Sequence, residues 1–283
     1  MKFNKFLVLI LFGTCLAATM SAEIIYGDDS AGALVAITVT GSDFAFGTAT
    51  AITGVTGTIT DIAELNGVLY VTSDTALYVL NASDHATEIG TGYGAGITSV
   101  VALTFGPNGV LYAAESGSST DYYTINLTTG VATAVPVTGA TGGINAAGDL
   151  QVIGNTLYVT TGGTSGVSSL GAINLTTNVF TNLGTIETSG GATTFDEVFG
   201  LTVANGNLYG FDAANGDILN FGSTSGTITN VVTVVPSGDI SGTVVDLYGA
   251  TDDEITTPEP TTFGVIGIGL LGLVGLGYRR RKA

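Results

Sequence analysis

The stretch NGVLYVTS, residues Asn66–Ser73, recurs along this chain with small changes. The other copies are NGVLYAAE from Asn108, GNTLYVTT from Gly154 and NGNLYGFD from Asn205. Each copy carries a tyrosine at the same place, and a further tyrosine precedes them at a similar distance; the five are Tyr26, Tyr70, Tyr112, Tyr158 and Tyr209. The steps between them are 44, 42, 46 and 51 residues, which indicates an internal structural repeat.

Each repeat contains enough chain for four short strands. An apolar run precedes the Leu-Tyr strand, as in ITDIAEL from Ile59, and a third run follows it, as in ALYVLNAS from Ala76. A Thr- and Val-rich run then ends the unit, as in VATAVPV from Val131. Clusters of Gly, Asn, Asp and Ser separate these β-branched runs, and Asn-Gly before the Leu-Tyr strand favours a tight hairpin. The pattern predicts an all-β chain whose repeat is one four-stranded propeller blade.

The first and last repeats predict how the ring closes. The first begins directly at its Tyr26 strand and lacks a leading strand, whereas the last is followed by an extra run, GTVVDLYGA from Gly242. Placing that run in the first blade pairs the two ends of the domain and leaves no open radial edge. We therefore predict five four-stranded blades in a β-propeller domain of residues 23–257. The alternatives are a pair of β-sandwiches or a β-solenoid, and a solenoid needs a repeat nearer 20 residues.

Positive charge is confined to the two ends of the chain. All 6 Lys and Arg residues lie there, and between Glu23 and Thr257 the only basic side chain is His85, against an overall count of 23 Asp and Glu. An acidic domain repels polyanions, so nucleic-acid binding is not expected. Phosphate sites that rely on Lys or Arg side chains are excluded because the domain contains neither residue.

Residues 1–22 resemble a secretory signal peptide. Lys2 and Lys5 precede an apolar run from Phe6 to Ala18, and small residues end the segment at Ala22. An uncleaved anchor helix is the alternative. The single cysteine, Cys15, lies in this segment, so cleavage would leave a chain held by packing and backbone hydrogen bonds without a disulfide.

The C-terminal end, residues 258–283, has three parts in a fixed order. Pro258, Glu259 and Pro260 come first, an uncharged Gly-rich span of residues 261–278 follows, and a basic cluster ends the chain. A helix over 261–278 would be about 27 Å long, close to the thickness of a bilayer core. The basic cluster would stay in the cytoplasm; its members are Arg279, Arg280, Arg281 and Lys282. An ordinary single-pass anchor is the alternative interpretation.

This order of parts closely resembles the PEP-CTERM sorting signal of exopolysaccharide-producing Gram-negative bacteria. The resemblance implies an exosortase-type membrane protease that cuts at or near Pro258–Pro260. It also implies transient anchoring in the inner membrane, followed by release or transfer to the cell exterior. The repeats, with their G-x-LY and D-x-x-TG signatures, resemble the lactonase-like and NHL/YncE-like irregular β-propellers, a likeness that concerns the fold.

Few residues of the domain suggest chemistry. One histidine cannot supply a zinc site, and His85 in NASDHATE is predicted to be an exposed turn residue. A glycoside hydrolase would need two carboxylates; the candidates near predicted strand ends are Asp28, Glu115, Asp149, Asp196 and Glu197. Calcium prefers oxygen ligands, and the best candidates are Asp212, Asn215 and Asp217 in DAANGD. The alternative is that these are solvated turn residues.

These observations predict an exported, non-enzymatic protein of the cell surface or extracellular matrix, with no assigned catalytic residue. Its role would be structural or adhesive, in association with exopolysaccharide; no cofactor is assigned, and calcium is the one candidate. The alternatives are a calcium-binding propeller scaffold and a carboxylate-dependent glycoside hydrolase or lactonase-like enzyme.

Overall fold

The structure is a computed structural model. It describes residues 22–29, 31–162, 166–188, 191, 193–214, 216–225, 228, 231–234 and 247–252. The predicted signal peptide up to residue 21, the sorting motif at 258–260 and the predicted membrane helix at 261–278 lie outside these residues. In the described part, no helix is long and apolar enough to cross a membrane.

The regular elements that the structure describes are β-strands, most of them four to eight residues long. They are β1 (Glu23–Asp29), β2 (Ala33–Thr40), β3 (Asp43–Phe46), β4 (Thr50–Ala51), β5 (Ile59–Leu65), β6 (Val68–Ser73), β7 (Ala76–Leu80), β8 (Ala86–Glu88), β9 (Val100–Phe105), β10 (Leu111–Glu115), β11 (Asp121–Ile125), β12 (Ala132–Pro136), β13 (Ala146–Ile153), β14 (Thr156–Gly162), β15 (Ser168–Asn174), β16 (Val179–Thr185), β17 (Glu187–Thr188), β18 (Val198–Ala204), β19 (Asn207–Asp212), β20 (Asp217–Ser223), β21 (Val231–Val234) and β22 (Leu247–Asp252).

These strands form five sheets arranged in a ring. Blade 1 is β22-β1-β2-β3, blade 2 is β5–β8, blade 3 is β9–β12, blade 4 is β13–β16 and blade 5 is β18–β21. The innermost strand of each blade contacts the innermost strands of both adjacent blades. Two short strands are additional, since β4 pairs with β2 and β17 pairs in parallel with β21. The predicted five-bladed propeller is confirmed, and the sandwich and solenoid alternatives are wrong.

The ring closes as the sequence predicts. Strand β22 is antiparallel to β1, with Asp252 opposite Ile25 and Gly249 opposite Asp28. The last described strand therefore becomes the innermost strand of the first blade. This pairing gives every blade an inner strand and joins the two ends of the domain within one sheet.

The repeat tyrosines lie on the second strand of their blades, and tight turns precede two of them. Asn66 and Gly67 connect β5 to β6 with φ of 53° and 77°, and Asn205 and Gly206 connect β18 to β19 with φ of 48° and 72°. Two consecutive positive φ angles define the type I′ turn, whose twist matches that of the flanking strands. Asn and Gly are selected here because they tolerate this backbone conformation.

The core lies between adjacent blades. Ile25 and Ile37 of blade 1 pack with Tyr209 and Phe211 of blade 5 in one buried cluster. The ring of Phe44 meets that of Tyr209 edge to face, with the centroids 5.0 Å apart. Other clusters fill the spaces between blades 2 and 3 and between blades 3 and 4. Each sheet therefore presents apolar side chains on both faces, as blades stacked against two neighbours require.

Two isoleucines that adjoin in β1 provide a test of this packing. Ile25 has 0% of its side chain exposed and Ile24 has 45%. Ile25→Ala should lower the free energy of unfolding by about 3 kcal/mol, because it leaves a cavity between blades 1 and 5. Ile24→Ala, the matched control, should change it by less than about 1 kcal/mol. Urea unfolding followed by circular dichroism measures both, and equal losses would contradict the assigned strand faces.

Candidate functional site

The most unusual group of side chains lies where the five inner strands meet. In each blade, the inner-strand residue opposite the repeat tyrosine defines a common register, for example Ala63 opposite Tyr70 and Gln151 opposite Tyr158. Two residues before that position, two blades carry aspartate and three carry a small residue. These equivalent residues are Asp61, Ala102, Asp149, Gly200 and Gly249.

The backbone explains why carboxyl groups belong at this position. An inner strand pairs with its own blade on one edge only, so amide N–H groups on the other edge point to the axis without a strand partner. Asp61 accepts hydrogen bonds from Ile62 N–H at 2.7 Å and from Leu103 N–H of blade 3 at 2.5 Å. The carboxyl group of Asp61 therefore joins two neighbouring inner strands.

Asp149 does the same for the other three blades. Its Oδ1 accepts a hydrogen bond from Leu150 N–H at 2.5 Å. Its Oδ2 accepts from Leu201 N–H of blade 5 at 2.7 Å and from Ala250 N–H of blade 1 at 3.1 Å. Together, the two carboxyl groups bond one equivalent N–H from each of the five blades.

A third carboxyl group, that of Asp28, enters the cluster from the second strand of blade 1. Its side chain is 0% exposed, and neither carboxyl oxygen has a hydrogen-bond partner of good geometry. Gly249 lies opposite it in the sheet. A Cβ atom at position 249 would lie 2.6 Å from Asp28 Oδ1 and even closer to Asp61 Oδ1. Glycine is required there because the carboxyl groups of Asp28 and Asp61 occupy the space.

Burial raises the pH at which the carboxyl groups of this cluster lose their protons. It raises the pKa of Asp28 to about 7, and the charge of Asp29 adds to the effect. Burial also raises the pKa of Asp61 and Asp149 well above the ordinary range, and for Asp61 the charges of Asp149 and Asp28 raise it further. The interaction between the two carboxyl groups raises the pKa of Asp61 further, whereas the amides of Leu201 and Ala250 and the Asp61 carboxyl group partly offset the rise for Asp149. Protons therefore neutralise a group that has no Lys or Arg nearby in the described part of the chain.

Other side-chain hydrogen bonds join the inner strands around the cluster. Thr60 Oγ1 of blade 2 donates to the Val100 carbonyl of blade 3 at 2.8 Å. Glu64 N–H donates to Thr251 Oγ1 of blade 1 at 3.0 Å. The axis is thus a hydrogen-bonded polar layer that connects sheets with no shared strand ladder.

The five carboxylates predicted for glycoside hydrolysis are divided by the fold. Asp28 and Asp149 meet at the axis with Asp61, where all three are enclosed. Glu115, at the end of β10, accepts hydrogen bonds from Thr98 N–H at 3.0 Å and from Tyr123 OH at 2.5 Å. The other two, Asp196 and Glu197, are exposed just before β18.

The predicted calcium ligands lie in the hairpin between β19 and β20. Asp212 and Asp217 are opposite each other; partial burial raises the pKa of Asp217, and the charge of Asp212 adds to the rise. Asp212 Oδ1 accepts a hydrogen bond from Ala214 N–H at 3.1 Å, while Asn215 lies outside the described residues. Within those residues, no group of three or more His, Cys, Asp or Glu is arranged to hold a metal ion. Calcium binding here stays a prediction.

His85 is exposed, as the sequence predicts, but it follows the turn and forms an isolated β-bridge with Thr53. Its Nδ1 lies 3.0 Å from Thr53 Oγ1, and its backbone N–H donates to Asn81 Oδ1 at 3.2 Å. The imidazole therefore helps to connect the loop of blade 2 to the segment that leaves blade 1. This contact assigns His85 a local structural role.

Two clefts open on the face of the ring where the chain passes from one blade to the next. The larger, at blade 4, has a volume of about 910 Å³ and includes Asn145, Thr161, Asn182 and Glu187 in its lining. The smaller, at blade 2, has a volume of about 600 Å³ and includes Tyr78 and Tyr93. We call this surface the cleft face. Its lining is dominated by hydroxyl, amide and backbone groups.

Stability should fall as the pH rises. The folded chain raises the pKa of Asp28 from 3.8 to about 7, so its contribution is complete below pH about 4 and is lost as the pH passes about 7. For Asp28 alone, the free energy of unfolding should fall by roughly 2–3 kcal/mol between pH 5 and pH 8. Asp61 and Asp149 act in the same direction. Urea unfolding at a series of pH values measures the slope.

Asp28→Asn isolates one part of that slope, because the amide keeps the shape and removes the ionisation. The variant should lose less stability than the parent between pH 5 and pH 8. Asp74→Asn, at an exposed position in the turn between β6 and β7, should leave the slope of the parent unchanged. An Asp28→Asn slope equal to that of the parent would contradict the role given to Asp28.

Comparison with known proteins identifies the C-terminal segment. Residues 256–282 match the family model described as the PEP-CTERM protein-sorting motif. The resemblance of residues 258–283 to that sorting signal is thereby confirmed. No curated protein matches the chain.

Solved structures match the domain by fold. A protein of unknown function from Bacteroides thetaiotaomicron VPI-5482 aligns with a TM-score of 0.55 and 14% identity, over 83% of this chain and 66% of that one. A structure of the nidogen/laminin complex aligns with a TM-score of 0.51 and 11% identity, over 82% of this chain and 98% of that one. Virginiamycin B lyase from Staphylococcus aureus aligns with a TM-score of 0.44 and 12% identity, over 79% of this chain and 86% of that one. At such identities the similarity concerns the fold alone. The chain is a five-bladed β-propeller that carries a PEP-CTERM protein-sorting motif, which implies export with a C-terminal membrane anchor before processing.

Proposed function

We propose that this protein is a non-enzymatic component of the cell surface or extracellular matrix, with a structural or adhesive role in association with exopolysaccharide. The observation that carries the proposal is the sorting motif at residues 256–282. Such a motif directs a protein outward, and the domain that precedes it is a rigid ring suited to presenting surfaces. The acidic composition supports an extracellular role, since mutual repulsion keeps the domain soluble.

The use of the carboxyl groups supports a structural role. Asp28 and Asp149, two of the candidates for a glycosidase, are enclosed at the axis. Asp149 accepts three backbone N–H groups, so its oxygens bind strands of its own fold. Glu115 is likewise bonded to Tyr123 and to the backbone of Thr98. A catalytic acid must reach its substrate, and these groups instead connect parts of the domain.

The chemistry of the cleft face supports a neutral or weakly charged polysaccharide as the partner. The lining of the blade 4 cleft includes the Thr194 hydroxyl, the Asn182 amide and the ring of Phe180. Hydroxyl and amide groups can both donate to and accept from sugar hydroxyls, and an aromatic ring packs against the apolar side of a sugar. Glu187, the acidic residue in this lining, disfavours a polyanion.

The sorting motif supports a defined order of events. After export, residues 261–278 anchor the chain in the inner membrane while Arg279–Lys282 stay in the cytoplasm. An exosortase-type protease then cuts at or near Pro258, Glu259 and Pro260. The propeller is thereby freed from the anchor, for secretion or for transfer to a surface polymer.

Intact-mass analysis of the protein from the membrane and from the culture medium tests this order. The medium form should lack both the signal peptide and about the last 26 residues, whereas the membrane form should keep its C-terminal segment. Replacing Pro258, Glu259 and Pro260 together by alanine should leave the protein in the membrane fraction. A cytosolic chain with both ends intact, or a medium form that keeps Arg279–Lys282, would contradict the proposal.

A further inference from the structure

Both ends of the domain leave the ring from the same face. β1 begins at Glu23, and β22 ends at Asp252, which lies opposite Ile25 in the same sheet. Glu23 Oε2 accepts a hydrogen bond at 2.6 Å from the N–H of Asn205, in the turn between β18 and β19. In blades 2 to 5, a turn connects the first strand to the second, as at Asn66–Gly67 and Asn205–Gly206. We call the surface that these turns form the turn face. It is opposite the cleft face because each strand crosses the ring from one face to the other.

The turn face carries apolar side chains that remain exposed. Ile24 is 45% exposed beside Glu23, Val68 is 38% exposed at the start of β6, and Val110 is 37% exposed just before β10. Val68 and Val110 each adjoin the turn between the first and second strands of their blade, and Ile24 follows Glu23, which is bonded to the corresponding turn of blade 5. The other large apolar side chains exposed in the described part of the chain adjoin loops between third and fourth strands: Val131 directly precedes β12, and Val179 is the first residue of β16. In blade 4 such a loop contacts the neighbouring turn, where Leu175 N–H donates to the Asn155 carbonyl at 3.0 Å.

The segment that leads to the membrane is short. Eight residues, 253–260, separate Asp252 from the start of the apolar span at Thr261. Even fully extended, this connection reaches about 30 Å. A domain of this length has a radius of about 22 Å, from the usual scaling of the radius of gyration, so half its circumference is roughly 70 Å.

We propose that, while residues 261–278 anchor the chain, the turn face lies against the lipid bilayer and the cleft face points away from it. The connection leaves near the ring axis, because β22 is an innermost strand. It is too short to pass around the domain and let the cleft face turn to the bilayer. The exposed Ile24, Val68 and Val110 then meet the lipid surface, and both clefts open toward the cell exterior. The inference rests on the anchoring step of the proposed function.

The proposed orientation also determines where the protease cuts the chain. Five residues, 253–257, separate Asp252 from Pro258, so the start of the Pro258–Pro260 motif lies within about 20 Å of the turn face. The protease must therefore work in the gap between the propeller and the bilayer. The clefts stay accessible to polysaccharide before the cut as well as after it.

A matched pair of cysteine variants tests the orientation. Val68 and Thr75 are both exposed β-branched residues; Val68 begins β6 and Thr75 lies in the turn that follows this strand, so the two are roughly 20 Å apart at opposite faces of the ring. Val68→Cys and Thr75→Cys are each made in the full chain with Cys15→Ala, so that the label is unique. The anchored protein is taken from cells without the processing protease, labelled with a fluorophore, and reconstituted in phospholipid vesicles that contain lipids spin-labelled at the headgroup.

Quenching by the lipids should be several-fold stronger at position 68 than at position 75. Equal quenching, or stronger quenching at position 75, would overturn the proposed orientation. A Gly-Ser spacer of about 20 residues after Thr257 should reduce the difference, because a long flexible connection allows the domain to rotate; an unchanged difference would contradict the role of the short connection. Protein that is absent from the membrane fraction would instead refute anchoring itself, so the two failures are distinguishable.

Discussion

Five sheet edges meet at the centre of this ring, and their amide N–H groups need acceptors that no neighbouring strand can supply. Two aspartates satisfy this requirement. Asp61 accepts amides from blades 2 and 3, and Asp149 accepts amides from blades 4, 5 and 1. Since an unpaired buried amide costs free energy, these carboxyl groups stabilise the way in which blades that share no ladder come together.

Enclosing carboxyl groups at the axis creates a second requirement, because their negative charge must be neutralised. Three enclosed carboxyl groups repel one another, and Lys and Arg are confined to the two ends of the sequence. Protons neutralise the cluster, because burial raises the pKa of all three groups. Small residues supply the space, most clearly Gly249, where a side chain would overlap Asp28 and Asp61. The axial cluster therefore depends both on the protons that its carboxyl groups hold and on the glycine at position 249 of β22.

Much of the fold could be predicted because its signals are local or periodic. The Leu-Tyr repeat gives the number of blades, the Asn-Gly turns give the hairpins, and the unmatched runs at the two ends give the closure by β22. The axial cluster was harder to predict. Asp28 and Asp149 attract attention as carboxylates near strand ends, but their enclosure depends on packing that no local pattern contains. Asp61, within the apolar run ITDIAEL, was missed altogether.

A signal for the cluster does exist in the sequence. An aspartate occurs in the inner-strand run of two repeats, two residues before the position opposite the repeat tyrosine, whereas the other three repeats carry Ala102, Gly200 and Gly249. Reading it requires alignment of all five inner strands in register, across repeats of unequal length. Even then, the interaction that raises the pKa of Asp61 beside Asp149 depends on the closed ring, which brings blades 2 and 4 together at the axis.

The central claim is that carboxyl groups of the axis replace a strand partner for five equivalent amides. Hydrogen exchange followed by NMR measures it directly at Ile62, Leu103, Leu150, Leu201 and Ala250. The account predicts that these amides exchange as slowly as those paired within the blades. Exchange as fast as in the exposed turns would show that the axis is open to water and would contradict it.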